Sequence, residues 1–270
     1  MAMQDADVAP LTLLLSPERL GNLTQLTGNT KAAIELHQET LAVGACLMSV
    51  IATVEIAIRN AICENLSRHF GAPNWLISPP ASFEWKDTEN GKGAKARDSA
   101  QRAEYAKLNQ QEKGALDALA YPNGRPANES HAARAKKRRQ KIQVSDGKII
   151  AEITLHFWKR LYGPDYEHSL WKPTLKKTFP HKSVKRSEVA DHLEVIYQAR
   201  NRLAHHEPVL HGRFTDTITS INYIIQRLET SSIGPQTPLA NLLVEPIAAA
   251  EVLAQALHDR LAAYREGASS

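Results

Sequence analysis

The chain has 270 residues, 43% of them hydrophobic and 23% charged, with a formal net charge of +4. That balance suits a globular chain with a substantial core and excludes a disordered or fibrous one. The small positive charge does not by itself mark a nucleic-acid binder. Two cysteines, Cys46 and Cys63, are too few for a disulfide framework and read as reduced core thiols.

The N-terminal stretch MAMQDADVAPLTLLLSP carries two aspartates where a secretory leader needs a basic start, and its apolar run is short. No signal peptide is expected. A long helix is predicted after TGNT, capped by Asn29 or Thr30 and running through KAAIELHQETLAVGACLMSVIATVEIAIRNAICENLSRHFG. A bend is expected near Gly44, and Gly71 followed by Pro73 stops the helix. Residues 41–54 hold no charge, but that length fits a buried core helix better than a bilayer span, and Glu55 and Arg59 continue the pattern. A cytoplasmic protein without a membrane partner is the expectation.

After Trp75, ISPPASFEWKDTENGKG reads as loop. AKARDSAQRAEYAKLNQQEKGALDALA has helical composition with a weak apolar stripe, YPNGRPANES is a turn-rich connector, and HAARAKKRRQKIQ follows. DGKIIAEITLHFWKRLYG reads as one compact amphipathic helix. VKRSEVADHLEVIYQARNRLAHHEP is the next helix, capped by Ser187 and closed by Pro208, and two more are predicted over 213–229 and 246–264. No alternating strand pattern and no repeat interrupts this series. The reading is an all-α single domain over residues 1–270.

Charge is uneven along the chain. Residues 86–145 hold 14 Lys or Arg against 7 Asp or Glu, a net +7, so the remainder sums to −3. This basic, partly loop-rich segment is densest at RAKKRRQK, where Arg134, Lys136, Lys137, Arg138, Arg139 and Lys141 could form a phosphate-binding surface. A solvated helix face explains the same run.

The chemistry-bearing stretch is QARNRLAHHEPVL, residues 198–210. Val189, Leu193, Ile196 and Leu203 define an apolar stripe, and Arg200 falls four residues after Ile196, a costly place for a guanidinium unless it is paired or binds an anion. Asn201 and His205 share a helix face. Pro208 ends the helix near Glu207 and places His205 and His206 in its last turn, where free carbonyls favour an imidazolium. A histidine can move a proton, an arginine can hold a phosphate or its developing charge, and an asparagine can orient either. A capped helix end with a buried Arg–Asn network is the structural alternative.

Similar spacings at Arg186/His192 and Arg125/His131 lack the asparagine and the helix end. HEPVLH departs from a zinc-protease motif, because His211 comes one residue late and Pro208 breaks the helix that would present both ligands. No Walker loop or dinucleotide fingerprint is present, and neither a metal nor a cofactor is expected.

RNRLAHHEP resembles the signature of the Abi-like (abortive infection) proteins of the HEPN superfamily. VEIAIRNAI, residues 54–62, is similar to that family's early Glu-x-x-x-Arg-Asn helix, and IIAEITLHFWKRLYGPDYEHSLWKPTLKKTFP, residues 149–180, to its middle block with Phe-Trp and Leu-Trp pairs. The three blocks occur in the family's order and cover about half the chain. The resemblance implies a HEPN-like helical bundle with additional helices and a metal-independent endoribonuclease acting as a toxin or effector in phage defence. It implies Arg200, Asn201 and His205 as the catalytic set, with His206 adjacent and Arg202 added to the RNA-binding residues. It further implies RNA as substrate, 2′,3′-cyclic phosphate ends, a homodimer with a composite active site, and a protein or RNA antitoxin. Glu55, Arg59 and Asn60 read as a supporting network, with Glu55 and Arg59 spaced to pair. Trp158 and Trp171 read as core anchors and His156 as incidental. A non-catalytic RNA-binding module, and a HEPN protein modified by a partner enzyme, are the competing readings.

Overall fold

The computed structural model describes residues 3–267, and every regular element among them is helical. The chain divides into two compact units, residues 1–61 with 177–270, and residues 62–176.

The first unit opens with α1 (Asp5–Leu15) and α2 (Pro17–Thr27). Ser16 caps α2 by accepting the Arg19 N–H at 3.2 Å, Pro17 takes the first helical position, and left-handed Gly28 ends the helix. Next comes α3 (Thr30–Phe70). Asn29 caps it, its Oδ1 accepting the Ala32 N–H at 3.1 Å. Gly71, at φ +68°, follows its last residue, as the sequence predicts. The portion of α3 in this unit buries Val43, Leu47, Val50, Ile51, Val54 and Ile58 almost completely, each worth roughly 2 kcal/mol. Length and composition alone would let both α3 and the C-terminal helix cross a membrane.

Two antiparallel helices add to this core, α9 (Arg186–Ala204) and α10 (Gly212–Ile225), separated in sequence from α3 by the second unit. α9 buries Val189, Leu193, Ile196, Ala199 and Leu203 at helical spacing, and α10 answers with Phe214, Ile218, Ile221, Ile224 and Ile225. The Tyr223 hydroxyl donates to Glu188 at 3.0 Å, joining the start of α9 to the end of α10. The start of α9 differs from the expected one. Ser187 does not cap α9. Lys185 precedes the first turn and the Glu188 carboxylate accepts its N–H at 3.4 Å, so Ser187 lies inside the helix.

The last helix, α11 (Pro238–Gly267), begins eight residues before the predicted start at 246. The reason is Thr237, whose hydroxyl accepts the Ala240 N–H at 3.1 Å and caps a helix with Pro238 in first position. Pro246 therefore sits inside α11, and its carbonyl accepts a weak bond from the Cys46 thiol at 3.8 Å. Cys46 and Cys63 are both half-buried thiols outside any disulfide.

The second unit contains α4 (Lys92–Lys107), α5 (Gln110–Ala120), α6 (His131–Arg139), α7 (Asp146–Ala151) and α8 (Leu155–Arg160). The single helix predicted from DGKII to KRLYG is instead the pair α7 and α8. Buried Trp158 donates its indole N–H to the Ile153 carbonyl at 3.3 Å, which satisfies the break between them. Trp158 and Trp171 are core residues, as expected. Around Trp85 the rings of Phe83, Phe157 and Tyr166 pack at 4.8–6.2 Å. Buried Glu89 accepts from Tyr166 at 2.9 Å and from Arg160 at 3.1 Å.

Candidate functional site

The site lies in the first unit, where α9 ends. The helix stops at Ala204, one turn earlier than Pro208 alone would require. The His206 N–H reaches the Leu203 carbonyl at 3.0 Å and the Glu207 N–H reaches Arg202 at 2.8 Å. This double closure is the Schellman arrangement, whose pivot residue is usually a left-handed glycine. Here the pivot is His206, at φ +57°. His205 and His206 thus stand just beyond the helix rather than in its last turn, and both are exposed. Carbonyls expected to lie free beside them are occupied, since the His205 N–H also approaches Asn201 and Arg202 at 3.2 and 3.1 Å.

Arg200 is half-buried, with 36% of its side chain exposed, and its Nε stands 4.0 Å from a Glu55 carboxylate oxygen. The early helix and the late motif therefore meet, through a loose ion pair worth about 1 kcal/mol or less at such exposure. Arg59 keeps its Nε buried without a hydrogen-bond partner, and Asn60 is exposed. Asn201 is half-buried one turn before His205. Arg202 is engaged within the turn. Its Nε donates to the Pro208 carbonyl at 3.3 Å and its guanidinium pairs with Glu207 at 3.1 Å, holding the turn in shape.

Two contacts that sequence spacing could not reveal complete the neighbourhood. Arg19 of α2 reaches the His206 carbonyl at 3.4 Å, across 187 residues. The His211 N–H donates to Nε2 of His258 on α11 at 3.0 Å, and the two rings stack at 4.4 Å. Burial, then the neighbouring His211, lowers the pKa of His258. Beside the turn, Thr40, Leu41, Gly44, Ala45 and Met48 of α3 with Leu203, His206 and Glu207 line a cavity of about 400 Å³. Gly44 is what lets α9 approach, since a Cβ there would stand 3.2 Å from a Leu203 methyl.

The basic run belongs to the second unit, on and just after α6. Much of it is tied internally. Arg134 and Arg138 both clasp Asp117, and these guanidinium groups, Arg138 foremost, hold its carboxyl well below the usual carboxylate range. Arg138 is buried, Arg139 lies 3.9 Å from Asp98, and Lys137 pairs with Glu129 at 3.0 Å. Lys136 and Lys141 are exposed with no carboxylate in ion-pair range among the described residues. As a phosphate surface the run offers fewer free cations than its sequence suggests.

Among the described residues no group of three or more His, Cys, Asp or Glu is placed to hold a metal ion. Comparison with protein-family models, curated proteins and solved structures finds no match to this chain.

Proposed function

We propose that the chain is a metal-independent endoribonuclease of the Abi-like, HEPN type, acting as a toxin or effector in bacterial phage defence. The observation that carries this reading is one exposed turn in which His205 and His206 follow Arg200 and Asn201, with Arg200 backed by Glu55. In the reaction a histidine accepts the proton of the RNA 2′-hydroxyl as that oxygen bonds to the adjacent phosphorus. The bond from phosphorus to the 5′-oxygen breaks, and a second acid protonates the leaving oxygen, so the upstream product ends in a 2′,3′-cyclic phosphate. Arg200 stabilises the charge on the phosphorane oxygens.

One motif supplies one histidine centre, so the second acid comes from a second copy in a homodimer. The exposed, uncharged row Ser49, Ala52 and Ile56 on α3 flanks the Glu55–Arg200 pair and suits such packing. Lys136 and Lys141 add non-specific attraction for RNA, and an antitoxin of protein or RNA holds the enzyme inactive in the cell. A second reading, a non-catalytic RNA-binding module, is favoured by His205 having no hydrogen-bonding side chain to orient its ring among the described residues.

Incubating the protein with end-labelled RNA in EDTA, beside His205→Ala and Arg200→Ala, separates the two. Cyclic phosphate ends that vanish in both variants support the nuclease. Equal RNA binding by all three without cleavage supports the binding module. Cleavage that survives both substitutions shows that the site is elsewhere.

A further inference from the structure

Arg19 is the feature of this region that the motif does not account for. It is exposed, no carboxylate lies within ion-pair distance among the described residues, and its guanidinium is drawn to the carbonyl of His206. Such a cation has hydrogen-bonding capacity to spare, and a guanidinium is the side chain best matched to a phosphate.

His206 connects this cation to the cavity between α3 and the end of α9, because it lines that cavity while its carbonyl contacts Arg19. The volume of about 400 Å³ falls within the range of small-ligand pockets, about 300–1,000 Å³. Leu41, Ala45, Met48 and Leu203 give it apolar walls, Thr40, His206 and Glu207 add polar groups, and the Glu207 carboxylate is already paired with Arg202 at 3.1 Å. An apolar recess with a histidine in its wall and a free cation beside it matches the two halves of a nucleotide, a flat base and an anionic phosphate. Single-stranded RNA is read in this way, with a splayed base stacked on a side chain while its backbone is held by arginine.

We propose that this cavity and Arg19 form a nucleotide subsite, the cavity taking one unstacked base of a single-stranded RNA and Arg19 the phosphate attached to it. The inference rests on the reading above in taking RNA as the ligand, but it requires no cleavage. It assigns to α2 a part in substrate binding and places base selection in the walls supplied by α3.

The test is fluorescence anisotropy with a labelled ten-nucleotide single-stranded RNA over a series of salt concentrations, in a His205→Ala background of the 270-residue chain so that cleavage does not intrude. Arg19→Ala should weaken binding about tenfold and reduce the slope of log K against log salt by about one. Ala45→Leu, which places bulk in the cavity from an exposed position, should weaken binding about tenfold and leave the salt slope unchanged. Thermal melts of both variants should match their parent. Parental affinity in both variants, or no RNA binding by the parent, overturns the proposal. So does an Ala45→Leu effect confined to oligomeric state by light scattering, which would give the cavity to a copy-to-copy contact. Cleavage by the wild-type chain is scored separately. Variant-sensitive binding without any cleavage sustains the subsite and sinks the nuclease reading, whereas cleavage with insensitive binding does the reverse.

Discussion

Replacing His206 by glycine should make the protein more stable, although it removes a side chain from the candidate site. The backbone of His206 is left-handed, at φ +57°, because the closure of α9 requires it there. A residue with a Cβ pays roughly 1–2 kcal/mol for that conformation, and glycine's freedom in the unfolded chain returns roughly 0.5–1 kcal/mol of the advantage. The net gain is about 0.5–1 kcal/mol, which for a chain of this size raises Tm by roughly 1–4 °C. His206→Val, with a β-branched side chain, should move Tm in the opposite direction. Calorimetry or a urea series on wild type, His206→Gly and His206→Val reads the order directly. A glycine variant less stable than wild type, with valine no worse, would refute the left-handed closure and with it the placement of His205 beyond the helix.

Glu55→Gln removes the negative charge 4.0 Å from Arg200. It should cost about 1 kcal/mol or less in a urea melt and tighten RNA binding by a few-fold at low salt, as anisotropy would show. At Gly93 a Cβ would stand 2.5 Å from the Leu76 carbonyl oxygen. Gly93→Ala should therefore cost about 1–2 kcal/mol by overpacking despite its better helix propensity, measured by the same denaturant midpoint. Burial lowers the pKa of His37, His156, His192 and His258 below the ordinary 6.5, with nearby Arg19, Lys159, Arg227 and His211 respectively adding to the effect. The folded chain then binds fewer protons than the unfolded one, so this stability is complete above about pH 6.5 and declines as pH falls through the lowered folded values. Tm should drop between pH 7.5 and 5.5, and a flat profile would contradict the burial of these rings.

Much of the helical series was legible in the sequence because its causes are local. Asn29 and Gly71 bracket α3, as a cap and a left-handed stop do in any helix. The apolar spacing of Val189, Leu193, Ile196 and Leu203 announced the buried face of α9. The helix expected over 246–264 starts earlier, because Thr237–Pro238 supplies a hydroxyl cap and a first-position proline. DGKII to KRLYG had a continuous amphipathic pattern, but the helix breaks between α7 and α8, where the indole of Trp158 takes up the Ile153 carbonyl five residues back. The basic run was visible, but not that Asp117 would take two of its arginines.

By itself, the sequence determined the all-α character, the ends of α3 and the presence of Arg200, Asn201, His205 and His206 near a helix end, because capping and periodicity act over a few residues. Only the tertiary structure decided that Glu55 would face Arg200 and that Arg19 would arrive at the turn of His206 from 187 residues away. Those outcomes depend on which helix faces meet. That is set by burial of apolar surface summed over the whole unit, and it leaves no mark in the spacing of any single segment.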